Sequence, residues 1–253
     1  MLRVNNKTIP YFLTEIAYSN YLDYTLIEDK KSYKDVETLT GVSFSGNFGK
    51  FSKKNIANSL RSRVENYKPK KVKNFVHNDE LYIIKDLKDI TILEGVLALN
   101  FAKEFTKTKY QKEQGLFAMK LYLIATMTRK VVNGQIEELP VNLGEVHDFV
   151  EKRVKELENI SFKNAIDFEF FFAAFEEKLS SGFYKLAFKS IHPTNIKNVD
   201  NEANERFRRY SQVYGAFIIL EYLLSNNIIK SDLEGLKTPF FHAVFLYGMS
   251  INK

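Results

Sequence analysis

Val4-Asn5-Asn6-Lys7-Thr8-Ile9-Pro10-Tyr11-Phe12-Leu13-Thr14-Glu15-Ile16 decides the reading of this chain, because the pattern returns. Residues 76–90 run Val76-His77-Asn78-Asp79-Glu80-Leu81-Tyr82-Ile83-Ile84-Lys85-Asp86-Leu87-Lys88-Asp89-Ile90. In both, an apolar residue enters an Asn-containing turn, an apolar or aromatic stretch follows, and Leu-x-acid-Ile heads a helical pattern. Asn tolerates positive φ, so each turn has a mechanism. A short hairpin feeding a helix, used twice, is a building block and not a catalytic site.

Working outward, Leu2–Val4 and Thr8–Phe12 read as the first hairpin, and Lys71–Val76 with Glu80–Lys85 as the second. Thr14 is placed to cap a helix through about Glu28, and Ser32 a short helix from Tyr33 to Thr40 that ends at Gly41. Ser52 caps a basic helix from Lys53 to Tyr67, which Pro69 stops. Asp89 or Thr91 caps a helix to about Lys107. Gln111 to Val132 reads as one helix ended by Asn133-Gly134, with a strand-like link over Gln135–Val141. Leu143 to Leu157 carries Val146, Val150, Val154 and Leu157 at helical spacing. Two Phe-rich helices cover 162–189, the longest helix covers 201–225, and a last one runs from Pro239, a favoured first-turn residue, to Ser250. The expected fold is mainly α, a bundle-like helical body with two short hairpins in the N-terminal third. Its domains would be a hairpin-plus-helices region at 1–70 and a second hairpin with the helical body at 71–253; residues 133–142 are the other boundary candidate.

The chain has 253 residues, 22 Phe, 14 Tyr, no Trp and no Cys. Its length fits one large or two small domains, with ample apolar content for a core. The missing Cys excludes disulfides, thiolate metal sites and a Cys nucleophile. No stretch approaches the roughly 18 apolar residues of a membrane span, and the N-terminus has no long apolar run. These features predict an intracellular, soluble protein. The abundance of Lys, Asn, Ile and Phe is the bias of an AT-rich genome.

Net charge is +6, unevenly distributed. Lys50, Lys53, Lys54, Arg61, Arg63, Lys68, Lys70, Lys71 and Lys73 share their segment with a single acid, Glu65, so residues 50–73 carry +8 and the rest of the chain −2. That block could neutralise phosphates at several contacts, without a recognition helix to read bases. It reads equally as a solvated face or a bridge to an acidic neighbouring subunit. Arg206, Arg208 and Arg209, beside Glu202 and Glu205, read as intrahelical pairing.

Other candidate chemistry resolves into structure. Ser45–Ser52 misses a P-loop because Phe44 and Phe51 stand where Gly and Ser/Thr are required. His147 and Glu151 are four apart, which is half a metal site without its remaining ligands. Asp167, Glu169, Glu176 and Glu177 lie among phenylalanines, where paired carboxylates could act as acid and base; the solvent side of an aromatic helix is the favoured reading. Ser180-Ser181-Gly182 does not form a nucleophile elbow. No catalytic residue, metal site or cofactor is expected, and the chain is not read as an enzyme. Phe170, Phe171, Phe175, Phe240 and Phe241 exceed what surface helices need; they suit a core or a subunit seam.

The opening Val4-Asn5-Asn6-Lys7-Thr8-Ile9-Pro10, followed by Leu13-Thr14-Glu15-Ile16 and a Tyr-rich helix, resembles the start of structural and tail-assembly proteins of tailed bacteriophages. With the cysteine-free, AT-rich, helical body, the style is similar to virion proteins of crAss-like phages. The resemblance covers some 30 residues and transfers no functional residue. It implies a virion component assembled in the host cytoplasm: a homo-oligomeric ring in the tail or head–tail connector, or a packaged protein. Its partners would be copies of itself and other virion proteins, with no membrane. The basic segment 50–73 would face DNA in a lumen or an acidic partner. The hairpins would extend neighbouring subunits' sheets, since an isolated two-stranded hairpin is marginal. A non-specific DNA-binding or regulatory protein is the other reading.

Overall fold

The computed structural model describes residues 2–4, 7–10, 12–27, 30, 33–44, 50–98, 114–140, 143–180, 223–229 and 232–251. The turn Asn5-Asn6, the loop 45–49, the second Phe-rich helix beyond Ser180, and Arg206, Arg208 and Arg209 lie outside them.

The elements are mostly helical, with a two-stranded and a four-stranded antiparallel sheet. β1 (Leu2–Val4) pairs with β2 (Lys7–Ile9). Three helices follow: α1 (Tyr18–Thr25), α2 (Tyr33–Thr40) and α3 (Lys50–Glu65). β3 (Asn74–His77) and β4 (Glu80–Ile84) form the second hairpin, and residues 92–98 are helical (α4). Next come α5 (Gln114–Met127), β5 (Thr128–Val132) and β6 (Gln135–Ile136), then α6 (Leu143–Glu156) and α7 (Phe162–Ser180). The C-terminal part holds α8 (Asp232–Lys237) and α9 (Phe240–Ile251). Among the described residues, no helix is long and apolar enough to cross a membrane.

The helix expected from Gln111 to Val132 stops early, at Met127. Thr128–Val132 is a strand pairing with β4, Tyr82 opposite Lys130 and Ile84 opposite Thr128. The physical reason is the turn. Asn133 and Gly134 adopt φ +52° and +77°, the left-handed pair that a tight hairpin requires, and they fold β6 back onto β5. Asn-Gly ends a helix equally well, so its meaning depends on what precedes it; here that is the β-branched pair Val131-Val132. Asn78 and Asp79, at φ +50° and +60°, turn the second hairpin the same way. The sheet order is therefore β3-β4-β5-β6, and the second hairpin finds its continuation inside the chain.

α1 starts at Tyr18, not after Thr14. The Glu15 carboxylate accepts the Phe12 N–H, and Glu15 N–H donates to the Phe12 carbonyl, so 12–15 close a turn. Ile16 and Ala17 stay extended because their backbone pairs with the start of α7: Tyr18 N–H donates to Ile160 O (2.9 Å) and Phe162 N–H to Ile16 O (2.7 Å). The same device recurs where α4 meets α9. Ile92 N–H donates to Thr238 O (2.9 Å) and Phe240 N–H to Ile90 O (2.6 Å), around the bridge Thr91–Pro239. Four helices thus begin alike, at Ile16-Ala17-Tyr18, Ile90-Thr91-Ile92, Ile160-Ser161-Phe162 and Thr238-Pro239-Phe240, and they dock in two pairs.

The core follows these junctions. Ile16, Ile90, Ile160, Phe162 and Phe240 are buried, with Leu39, Phe44 and Leu60 from the α2–α3 layer. Each such side chain contributes about 1.5–3 kcal/mol by leaving water. Phe75 and Tyr82 stack at 5.2 Å on the inner face of the sheet. Contacts span residue 70, since α1 packs on α7 and Tyr67 reaches Asp167.

Candidate functional site

The basic block folds as a helix and a strap. Lys50 opens α3; Lys53 and Arg61 are half-buried, while Lys54 and Arg63 are exposed. Arg61 reaches Asp35 on α2 (3.4 Å) and Asn58 (3.3 Å), which ties it to the neighbouring helix. Beyond Glu65 the chain runs through Pro69 as an irregular strap to β3, and Lys68, Lys70, Lys71 and Lys73 are all exposed.

One buried carboxylate holds the strap. Asp167, on α7, is 1% exposed and accepts three hydrogen bonds: from the Tyr67 hydroxyl (2.5 Å), the Lys70 backbone N–H (2.8 Å) and Lys163 Nζ (2.6 Å). Burial, and then this carboxylate, push the Tyr67 phenol well above its ordinary value. A buried carboxylate without donors would be costly, so the strap and Asp167 stabilise each other. The strap lysines are therefore presented by a fixed backbone.

The strap passes from one groove to another. Lys68 and Lys70 line a groove of about 760 Å³ with Tyr67, Arg63, Lys163 and Phe12. Lys71 and Lys73 line a second groove, about 380 Å³, floored by Phe170, Phe171 and Ala174 of α7 and rimmed by Lys88 and Lys178. No acid lines the first groove among the described residues, and Asp86 is the acid of the second. A polar cleft of about 440 Å³, with Asn74, Asn78, Asn159 and Asn164, lies between the β3 edge and α7. There the Asn164 side-chain amide donates to the outward Val76 carbonyl (3.0 Å), closing part of that edge. Chemically, the strap is a run of cations bordered by two grooves that contain aromatic rings, suited to a polyanion.

The other candidates fall into separate places. Glu169 pairs with Lys120 of α5 (2.6 Å), a residue 5% exposed whose pKa is lowered by burial against the opposing pull of Glu169. Burial raises Glu176, and Lys120 partly offsets it. Asp167 turns to the strap, so these carboxylates do not converge on one point. Glu151 accepts the Tyr122 hydroxyl, and His147 is exposed on α6. No group of three or more potential metal ligands occurs among the described residues. Of the five seam phenylalanines, Phe175, Phe240 and Phe241 are buried in the chain's own core, packing on each other at 5.4–6.0 Å. Phe170 is 44% exposed and Phe171 half-buried.

A second charged cluster is structural. Glu94 (1% exposed) accepts from Lys85 (3.0 Å), from Arg129 and from the Thr91 N–H (2.8 Å), so one carboxylate both caps α4 and neutralises a fully buried guanidinium. Burial brings Arg129 down to about 10. Next to it, Arg153 pairs with Glu137 and Glu156 and lies over the Tyr82 ring.

Residue reading missed the roles of Asp167, Lys163 and Phe170. The available signal was Lys163-x-x-x-Asp167, a one-turn ion pair inside an otherwise aromatic helix. No protein-family model, curated protein or solved structure matches this chain.

Proposed function

We propose that this chain is a binding and assembly protein whose working surface is the lysine strap. Its setting is a tailed-phage particle, as a homo-oligomeric ring of the tail or head–tail connector with the strap turned towards DNA. One observation carries the binding role: four exposed lysines on a backbone pinned by a buried carboxylate. Disordered charge needs no such anchor, whereas a presented cation row does.

The sheet topology supports the ring. β3–β4 is continued by β5–β6, whereas β1–β2 is a two-stranded sheet of three-residue strands. Such a pair is marginal alone, and a neighbouring subunit's hairpin would complete it. The opening hairpin and Leu13-Thr14-Glu15-Ile16 are also where the phage resemblance lies.

The same strap favours a second reading, a non-specific DNA-binding protein acting as a monomer or dimer. Light scattering at low and high salt, with and without DNA, separates the two. A large, salt-stable mass supports the ring. A monomer or dimer that binds DNA with steep salt dependence supports the second reading and removes the first. A monomer indifferent to DNA and to acidic polymers sinks both.

A further inference from the structure

We infer that the strap and its flanking grooves form a binding site for single-stranded nucleic acid, with Phe170 as a base-stacking platform. This rests on the reading above that the strap meets a polyanion, and names the ligand class.

Two independent observations converge. The first is charge concentrated on one short segment: Lys68 and Lys70 line one groove, Lys71 and Lys73 the next. Even fully extended, five steps of chain span at most about 17 Å, so the four cations stand within a few phosphate spacings of one another. The second is what lies beside them. Phe170 leaves 44% of its surface in solvent, at the floor of the second groove, where burial within the chain does not account for it. Tyr67, half-buried, and Phe12 line the first groove. Flat apolar faces next to a cation row match a ligand in which flat bases alternate with charges. Non-specific single-strand sites are built this way, from a basic track and aromatic platforms.

A duplex does not use this arrangement. Its bases are stacked on each other, so their faces cannot reach an aromatic ring at the bottom of a groove, and only the phosphate contacts remain. An acidic peptide would use the charges, but its carboxylates bring no flat face to Phe170. Lys88 extends the rim of the second groove towards the β4–α4 connection, giving the strand an exit on that side. Sequence selectivity is not expected, because stacking accepts every base.

Fluorescence anisotropy on the full chain tests this. The probes are a labelled oligothymidine of about twelve nucleotides, within the range that single-stranded sites cover, a duplex of equal length, and polyglutamate of matched charge. The expected result is oligothymidine binding roughly tenfold tighter than either competitor. Phe170→Ala should weaken it about fivefold or more while leaving the salt slope unchanged. Lys71→Glu with Lys73→Glu should weaken binding and flatten a slope that begins near −3, about −0.7 for each of four phosphate contacts. Circular dichroism confirms folding, which the exposure of Phe170 and the lysines favours. Equal or tighter binding of duplex or polyglutamate overturns the single-strand assignment and leaves the polyanion reading standing. An unaltered affinity in Phe170→Ala does the same. No binding of any of the three overturns both.

Discussion

The two helix-start junctions share a backbone and differ in everything attached to it. At the first, where α1 meets α7, Ala17 caps α1 without a side-chain hydrogen bond, and Phe162 packs on Tyr21 with ring centroids 4.5 Å apart. At the second, where α4 meets α9, Thr91 and Glu94 cap the helix, and Phe240 fills the place of the missing side chain at Gly95. Tyr21 and Gly95 hold corresponding positions four residues after the bridged residue. One junction solves its packing with an aromatic pair, the other with a ring against bare backbone. The first also borders the strap, through Leu13, Thr14, Lys163 and Asp167, while the second borders the buried Glu94–Arg129 pair. A repeated scaffold thus carries a presented surface at one end and an internal charge cluster at the other.

Raising the pH should separate the junctions most. Around the first, burial and then Glu169 raise the Tyr18 and Tyr21 phenols, and burial with the Glu65 hydrogen bond takes Tyr24 to about 12. The folded state keeps these protons where an unfolded chain releases them near pH 10. Their stabilisation is therefore whole below pH 10 and is lost as the pH rises through the folded values. Around the second, burial lowers Lys85, so the folded state sheds that proton first and stability rises over that interval. In protein labelled with fluorophenylalanine, the Phe162 resonance should lose its buried shift at lower pH than that of Phe240. The reverse order would break the comparison.

Among substitutions, Glu94→Ala should cost the most, about 3–5 kcal/mol in urea unfolding, because it leaves Arg129 buried without its carboxylate. Gly95→Ala follows. Its methyl would stand 2.5 Å from the Phe240 ring, a ring that is 1% exposed. The overpacking costs about 1–3 kcal/mol, more than the helix gains from alanine, and a smaller ring position in Gly95→Ala/Phe240→Leu should recover part of it. Asp167→Asn should cost about 1–2 kcal/mol and speed trypsin cleavage at Lys70, Lys71 and Lys73 as the strap loosens. Unchanged cleavage would mean that the strap is held by something other than Asp167. The smallest effect belongs to Asn20→Ala, at about 1 kcal/mol or less; Asn20 stands three residues after bridged Ala17, as Glu94 does after Thr91. A cost comparable to Glu94→Ala would show that the first junction hides a polar dependence of its own.

The sequence disclosed what is local. Asn-containing turns, Pro69, Gly41 and the spacing of Val146, Val150 and Leu157 place hairpins and helices to within a few residues. β5 escaped because Thr128–Val132 continues the apolar run of α5, and Asn133-Gly134 suits both a helix end and a hairpin. The echoes at 160 and 238 escaped because no hairpin precedes them, and proline masks the second. The strap's charge was plain from residues 50–73, but its anchor lies about a hundred positions away on α7, beyond any short-range pattern. Phe170 and Phe175 are indistinguishable by type; helix orientation makes one a groove floor and the other core.

The bridges interleave along the chain: residue 17 pairs with 161, and 91 with 239. A break anywhere between 91 and 161 severs both, and neither half retains a complete clasp. During synthesis, which releases the N-terminus first, α1 must wait until residue 161 has emerged, and α4 until residue 239. Closure of the second clasp is thus postponed until residue 239 has emerged, and a product truncated before it is left with an unclasped α4.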